Sequence, residues 1–139
     1  MSKINSSSTV KEIDEFIGDG DGDAYYFTPE TTYSWDPDNP QPARWRRIES
    51  WSDLQDALYD KPTLIGDGSG ETFFTATLVE DFGGEGQGDE YWIVVRLIFP
   101  DGVDRLVRKD GWYASYDGGY LDGDLREVQP VERMVTFYE

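Results

Sequence analysis

An α+β fold is predicted for this chain, with an antiparallel sheet of about four to six strands and one or two short helices packed on it. Two runs carry that prediction. ETFFTATLVEDF, residues 71–82, sets Phe73, Thr75, Thr77 and Val79 against Phe74, Ala76 and Leu78 in strand-like alternation. EYWIVVRLIF, residues 90–99, gives the same signal with less ambiguity. After residue 70 the intervals between such runs are too short for strand–helix–strand crossovers, so neighbouring strands run antiparallel. A small, mainly β barrel is the alternative, and its closure would need pairings that a sequence does not supply.

Taken in order, residues 1–8 read as a flexible N-terminal tail and residues 9–139 as a single acidic α+β domain. Thr9 and Glu12 fit a capping box, and Val10, Ile13 and Ile17 then share one helical stripe. Gly18 ends that helix by permitting a left-handed exit. The stripe suits docking on a core and would equally suit a partner. Ala24–Phe27 reads as a short strand. The stretch from Pro29 to Pro42 is rich in proline and reads as an irregular surface excursion. Within it, Tyr33 and Trp35 either pin the loop to the body or form a binding surface. A second helix starts near Ser50 or Ser52, carries Leu54, Ala57 and Leu58 at helical spacing, and is stopped by Pro62. GGEGQGD joins the two long strands as a hairpin loop. PDG at 100–102 turns into a strand over Val103–Arg108, DG at 110–111 turns into WYASY, and DGGYLDGD at 117–124 turns again. Val131–Tyr138 is the last expected strand.

Composition excludes several kinds of chemistry. The 139 residues hold 29 Asp and Glu against 12 Lys and Arg, a formal net charge of −17, with no His and no Cys. Histidine acid–base catalysis, thiol nucleophiles, disulfides and the common zinc sites are therefore absent. Such a charge repels DNA, RNA and anionic membranes. The nearest approach to a basic patch is Arg44, Arg46 and Arg47, so no direct nucleic-acid contact is expected. Five Trp, nine Tyr and seven Phe supply large rings for a core without metal or disulfide support. The first residues lack an apolar signal-peptide core, and no run approaches the roughly 18 apolar residues of a membrane helix. A cytoplasmic location is the expectation.

The segment IGDGDGDAYYF sets Asp19, Asp21 and Asp23 at the first three positions of a calcium loop, with Glu30 at the twelfth. Ala24 stands where that loop needs glycine, and Pro29 falls where its second helix should start. An acidic linker explains the segment better, with a weak cation site as the alternative. GGEGQGDEY lacks the stacked repeats of a β-roll, and GDGSGETF lacks the ending of a phosphate loop. Paired carboxylates remain a possible catalytic device, but nothing in the sequence singles out one pair, and no enzyme activity or cofactor is expected.

The segment KDGWYASYDGGYLDGDLREVQPVERMVTFYE, residues 109–139, resembles the C-terminal parts of small, uncharacterised acidic phage proteins. Acidic phage proteins of this size include inhibitors of restriction and CRISPR systems. The resemblance therefore implies an inhibitor of a nucleic-acid-processing or host-defence protein. Acidic residues spaced over a rigid sheet would let it occupy the basic groove of such a nucleic-acid-binding protein by DNA mimicry. The residues themselves agree with a protein-binding role. Glu85, Asp89, Glu90, Asp117, Asp122 and Asp124 offer electrostatic contact, and Trp112 and Tyr120 offer rigid aromatic contacts. Arg96, Arg105 and Arg108 are expected to balance neighbouring acids. A structural or accessory interaction domain is the alternative, its acidity serving solubility or adaptation to high salt.

Overall fold

The computed structural model describes residues 4–18, 23–59, 61–83, 90–114 and 118–129. Among the described residues two helices, α1 (Val10–Ile17) and α2 (Trp51–Ala57), accompany ten strands. The capping box of α1 is present: Glu12 N–H donates to Thr9 Oγ1 at 3.1 Å, and Thr9 N–H donates to Glu12 Oε1 at 2.9 Å. Gly18, at φ 70°, closes the helix with a bond to the Asp14 carbonyl. Ser50 caps α2 by accepting from Asp53 N–H. That helix ends at Ala57, ahead of Pro62.

The principal sheet joins β1 (Tyr25–Thr28), β4 (Arg44–Arg47), β5 (Thr63–Gly66), β6 (Thr72–Gly83), β7 (Glu90–Ile98), β8 (Asp104–Ala114), β9 (Gly118–Tyr120) and β10 (Leu125–Val128). Its order is β10-β8-β7-β6-β5-β1-β4, every pairing is antiparallel, and β9 also pairs with β8. The class is the predicted α+β, with more strands than expected. The additional strands are short or charged. RWRR, which forms β4, shows no apolar alternation because it borders the sheet, and like charges on an edge strand oppose pairing with another chain. The predicted strand over 131–138 lies outside the described residues.

Both helices cover one face of this sheet. Ile13, Phe16 and Ile17 of α1 and Trp51 and Leu54 of α2 are buried with Ile65, Phe74, Ile93, Val95, Leu97 and Val107 from the strands. Phe16 meets Phe73 and Phe74 with ring centroids 5.6 and 6.4 Å apart. Each such side chain contributes on the order of 1.5–3 kcal/mol when fully buried, so this layer dominates the stability of the domain. Lys109 is buried in the same layer. Its Nζ lies 3.0 Å from Asp14 Oδ1 and 5.6 Å from the centroid of Trp51, whose Nε1 donates to the same carboxylate oxygen at 2.7 Å.

Three expectations are corrected. Residues 4–8, assigned above to a tail, are held down: Ile4 is buried, Ser6 donates to Asp101, and Arg105 Nη1 donates to the Ser8 carbonyl at 2.6 Å. The proline-rich excursion is regular, with β2 (Thr31–Tyr33) and β3 (Asp36–Gln41) forming a separate two-stranded hairpin. Proline is tolerated there because β3 pairs only with β2. Asp110 and Gly111 are no turn but the interior of β8.

Candidate functional site

Along β8, Val107 and Lys109 point toward the helices, so Leu106, Arg108, Asp110 and Trp112 point to the opposite, open face. Antiparallel register sets Trp92 of β7 opposite Asp110 and Val94 opposite Arg108. The Arg108 guanidinium carbon stands 4.4 Å from the centroid of Trp92, and its Nε donates to Asp110 Oδ1 at 2.7 Å. Phe82 of β6 stacks behind the indole at 5.3 Å and 12°. A register shift between Leu78 and Glu80 makes this stack possible. One extra residue reverses the facing of everything after it, so Phe74 and Ala76 face the core while Phe82 faces away.

The stack continues into a corner where β8 meets β9. Trp112 pairs with Tyr120, and the rings stack at 4.7 Å and 20° while remaining 43% and 37% exposed. Trp112 Nε1 donates to Asp122 Oδ2 at 3.3 Å, which fixes the orientation of the indole. Glycine makes the corner possible. A Cβ at Gly111 would fall 1.8 Å from the Tyr120 carbonyl oxygen, so no larger residue fits under β9. Residues 121–124 then loop out opposite Asp110 and Gly111, held by Asp110 N–H to the Asp124 carbonyl and Gly123 N–H to the Asp110 carbonyl.

The structure thus brings together Glu90, Trp112, Tyr120 and Asp122 of the expected contact residues, Glu90 being the cross-strand partner of Trp112. Asp124 joins them through its backbone, and it borders an open cleft of about 370 Å³ shared with Asp14, Glu15, Trp51, Lys109 and Asp122. Glu85, Asp89 and Asp117 lie outside the described residues. Among the described residues neither Asp122 nor Asp124 has a cation within ion-pair distance. Asp110 differs. Arg108 and Arg126 reach its two oxygens at 2.7 and 3.8 Å, so its charge is compensated.

Arg96 and Arg105 also have carboxylate partners, Asp104 and Glu127. The Trp92–Arg108–Asp110 trio was not foreseen, since only cross-strand register assembles it. Of the suspected calcium loop, Asp19 and Asp21 lie outside the described residues, while Asp23 and Glu30 are exposed. No group of three or more potential metal ligands occurs among the described residues. Among the described residues two carboxyls are held below the usual carboxylate range, Glu12 by the Thr9 backbone and hydroxyl and Asp101 by the Ser6 hydroxyl and Val103 N–H. Both serve chain ends and turns rather than the corner. No helix among the described residues is long and apolar enough to cross a membrane.

No family model matches this chain, and no curated protein or solved structure is detectably similar to it.

Proposed function

We propose that this chain is a non-enzymatic, acidic protein-binding domain that presents the β8–β9 corner to the basic groove of a nucleic-acid-processing or host-defence protein. The observation that carries this reading is the exposed Trp112–Tyr120 stack, locked by Asp122 and bordered by Glu90, with Asp124 two residues beyond Asp122 in the same loop. Rigid aromatic side chains at the centre of an interface supply short-range affinity, and carboxylates at its rim speed encounter with a positive surface. Glu90 is partly compensated, its Oε1 lying 3.9 Å from Arg108 Nη2, so that steering falls to Asp122 and Asp124. A net charge of −17 extends that attraction beyond the corner itself. In its sharp form the domain inhibits by standing where DNA would lie. The phage resemblance of residues 109–139 directs the search for that partner to restriction and CRISPR proteins.

A second reading, an accessory interaction domain whose acidity serves hydration, draws on the spread of carboxylates over α1, α2, the hairpin and β6. One experiment separates the two. The purified domain retains partners from lysate, and a retained nuclease or DNA-binding complex is then challenged with duplex DNA across a salt series. Substrate-like blocking requires that DNA and the domain exclude each other, and that Asp122→Asn with Asp124→Asn slows association at low salt. Binding that tolerates DNA rejects the blocking role. Rates untouched by both substitutions reject the corner as the steering surface.

A further inference from the structure

The hairpin β2–β3 carries a second exposed indole that the corner does not use. Tyr33 pairs with Asp36, so Ser34 and Trp35 form the two-residue turn between them. No non-glycine residue among those described has positive φ, so this is not the I′ turn that favours Asn-Gly. Tryptophan at such a tip contributes little to folding. Trp35 is 78% exposed. Tyr33 stacks on one face at 5.1 Å and 17°, leaving the other face to solvent.

The surroundings of that open face favour a cation. Residues 29–43 contain Glu30, Asp36 and Asp38 but neither Lys nor Arg. Asp36 Oδ2 accepts from Asn39, which turns the carboxylate in place and leaves Oδ1 available. Pro37 and Pro40 stiffen β3, so little order has to be gained on binding. The chain itself contains the completed form of this arrangement. Phe82 stacked on Trp92, Arg108 over the same indole and Asp110 accepting from Arg108 parallel Tyr33 stacked on Trp35, with Asp36 the register partner of Tyr33 and the next residue after Trp35, cation excepted.

We propose that the β2–β3 hairpin is a docking site for an arginine side chain on a partner protein. The guanidinium lies flat on the open face of Trp35 while Asp36 or Asp38 accepts its N–H groups. Arginine suits the site better than lysine because its planar, weakly hydrated cation stacks on an indole and bonds a carboxylate at once. The inference rests on the hairpin and stands independently of the corner.

The test follows the indole N–H resonance of Trp35, assigned with Trp35→Phe, during titration with a blocked Gly-Gly-Arg-Gly-Gly-Arg peptide and its lysine counterpart. The arginine peptide is expected to shift that resonance and to bind about threefold or more tightly than the lysine peptide, given the stacking preference. Trp35→Ala should abolish this binding, and Asp36→Asn with Asp38→Asn should weaken it by about two- to fivefold, as loss of the charge partners implies. Equal response to both peptides, or shifts confined to Trp112, overturns the proposal. So does a concentration-dependent dimer, seen by sedimentation and lost in Trp35→Ala, which would assign the ring to a second copy of this chain. An unchanged unfolding midpoint for Trp35→Ala separates lost docking from lost fold.

Discussion

Two indoles in this molecule have a stacked ring on one face and an aspartate as neighbour, across the strands for Trp92 and along the chain for Trp35, and they differ in one partner. Trp92, in the middle of the sheet, has Arg108 across its face. Trp35, at the hairpin tip, has solvent there. A third indole, Trp51 at the start of α2, is buried with Lys109 and Asp14 against it. The same three chemical groups therefore recur at decreasing depth, from buried, through half-buried, to open and lacking the cation. Depth decides what such a trio does. In the interior it holds elements together, because removing one member strands another away from water. At the surface the interaction is weak and replaceable, which is what a contact site requires.

That gradient predicts a graded set of stability changes by chemical denaturation. Trp51→Ala should cost about 3–5 kcal/mol, since it empties a fully buried site and removes a donor from Asp14. A loss under about 1 kcal/mol would mean that the helix layer does not depend on this ring. Lys109→Ala should cost about 2–3 kcal/mol, less than a fully buried pair because Asp14 keeps access to water. Added salt should leave that effect nearly unchanged. Arg108→Ala should cost about 1 kcal/mol and lose part of that by about 0.5 M salt, where the carboxylate attraction is screened. Trp35→Ala should stay within about 0.5 kcal/mol of the parent. A loss as large as that of Arg108→Ala would show the hairpin ring packing on the body, and the comparison would fail.

The smallest expected effect concerns pH. Glu12 has a folded pKa below its unfolded one, so its contribution is present above the unfolded value and lost as pH falls through the folded value. The stability advantage of the parent over Glu12→Gln should therefore be full at neutral pH, begin to fall as pH enters the ordinary carboxylate range, and disappear once pH lies below the lowered folded value. Referring the parent to this variant removes the opposing relief of charge repulsion as the other acids protonate. An advantage that persists into stronger acid would mean that the capping bond does not depend on ionisation.

Sequence periodicity exposed the parts of the fold that depend on local signals. The capping box of α1, the Ser50 cap and strands β6 and β7 were all readable, because propensity and apolar spacing agree there. β4 was hidden because its arginines mask the alternation, and β2–β3 because its prolines suggest irregular chain. Asp110–Gly111 misled for a different reason. The pair has the chemistry of a turn, yet its glycine answers a close backbone approach across strands. At the candidate site Trp112, Tyr120 and Asp122 could be grouped because they are close in sequence. The Trp92–Arg108–Asp110 trio could not, since it depends on register and on a one-residue bulge in β6.

The bare α-carbon at residue 111 has a consequence for the whole edge of the molecule. It lets the neighbouring strand ride close enough for Trp112 and Tyr120 to clasp, so the most specific feature of the corner is secured by the lack of a single methyl group. A methyl added at that spot would meet the Tyr120 carbonyl and the Leu121 backbone, so the border strand would have to move outward. The clasp would open with it.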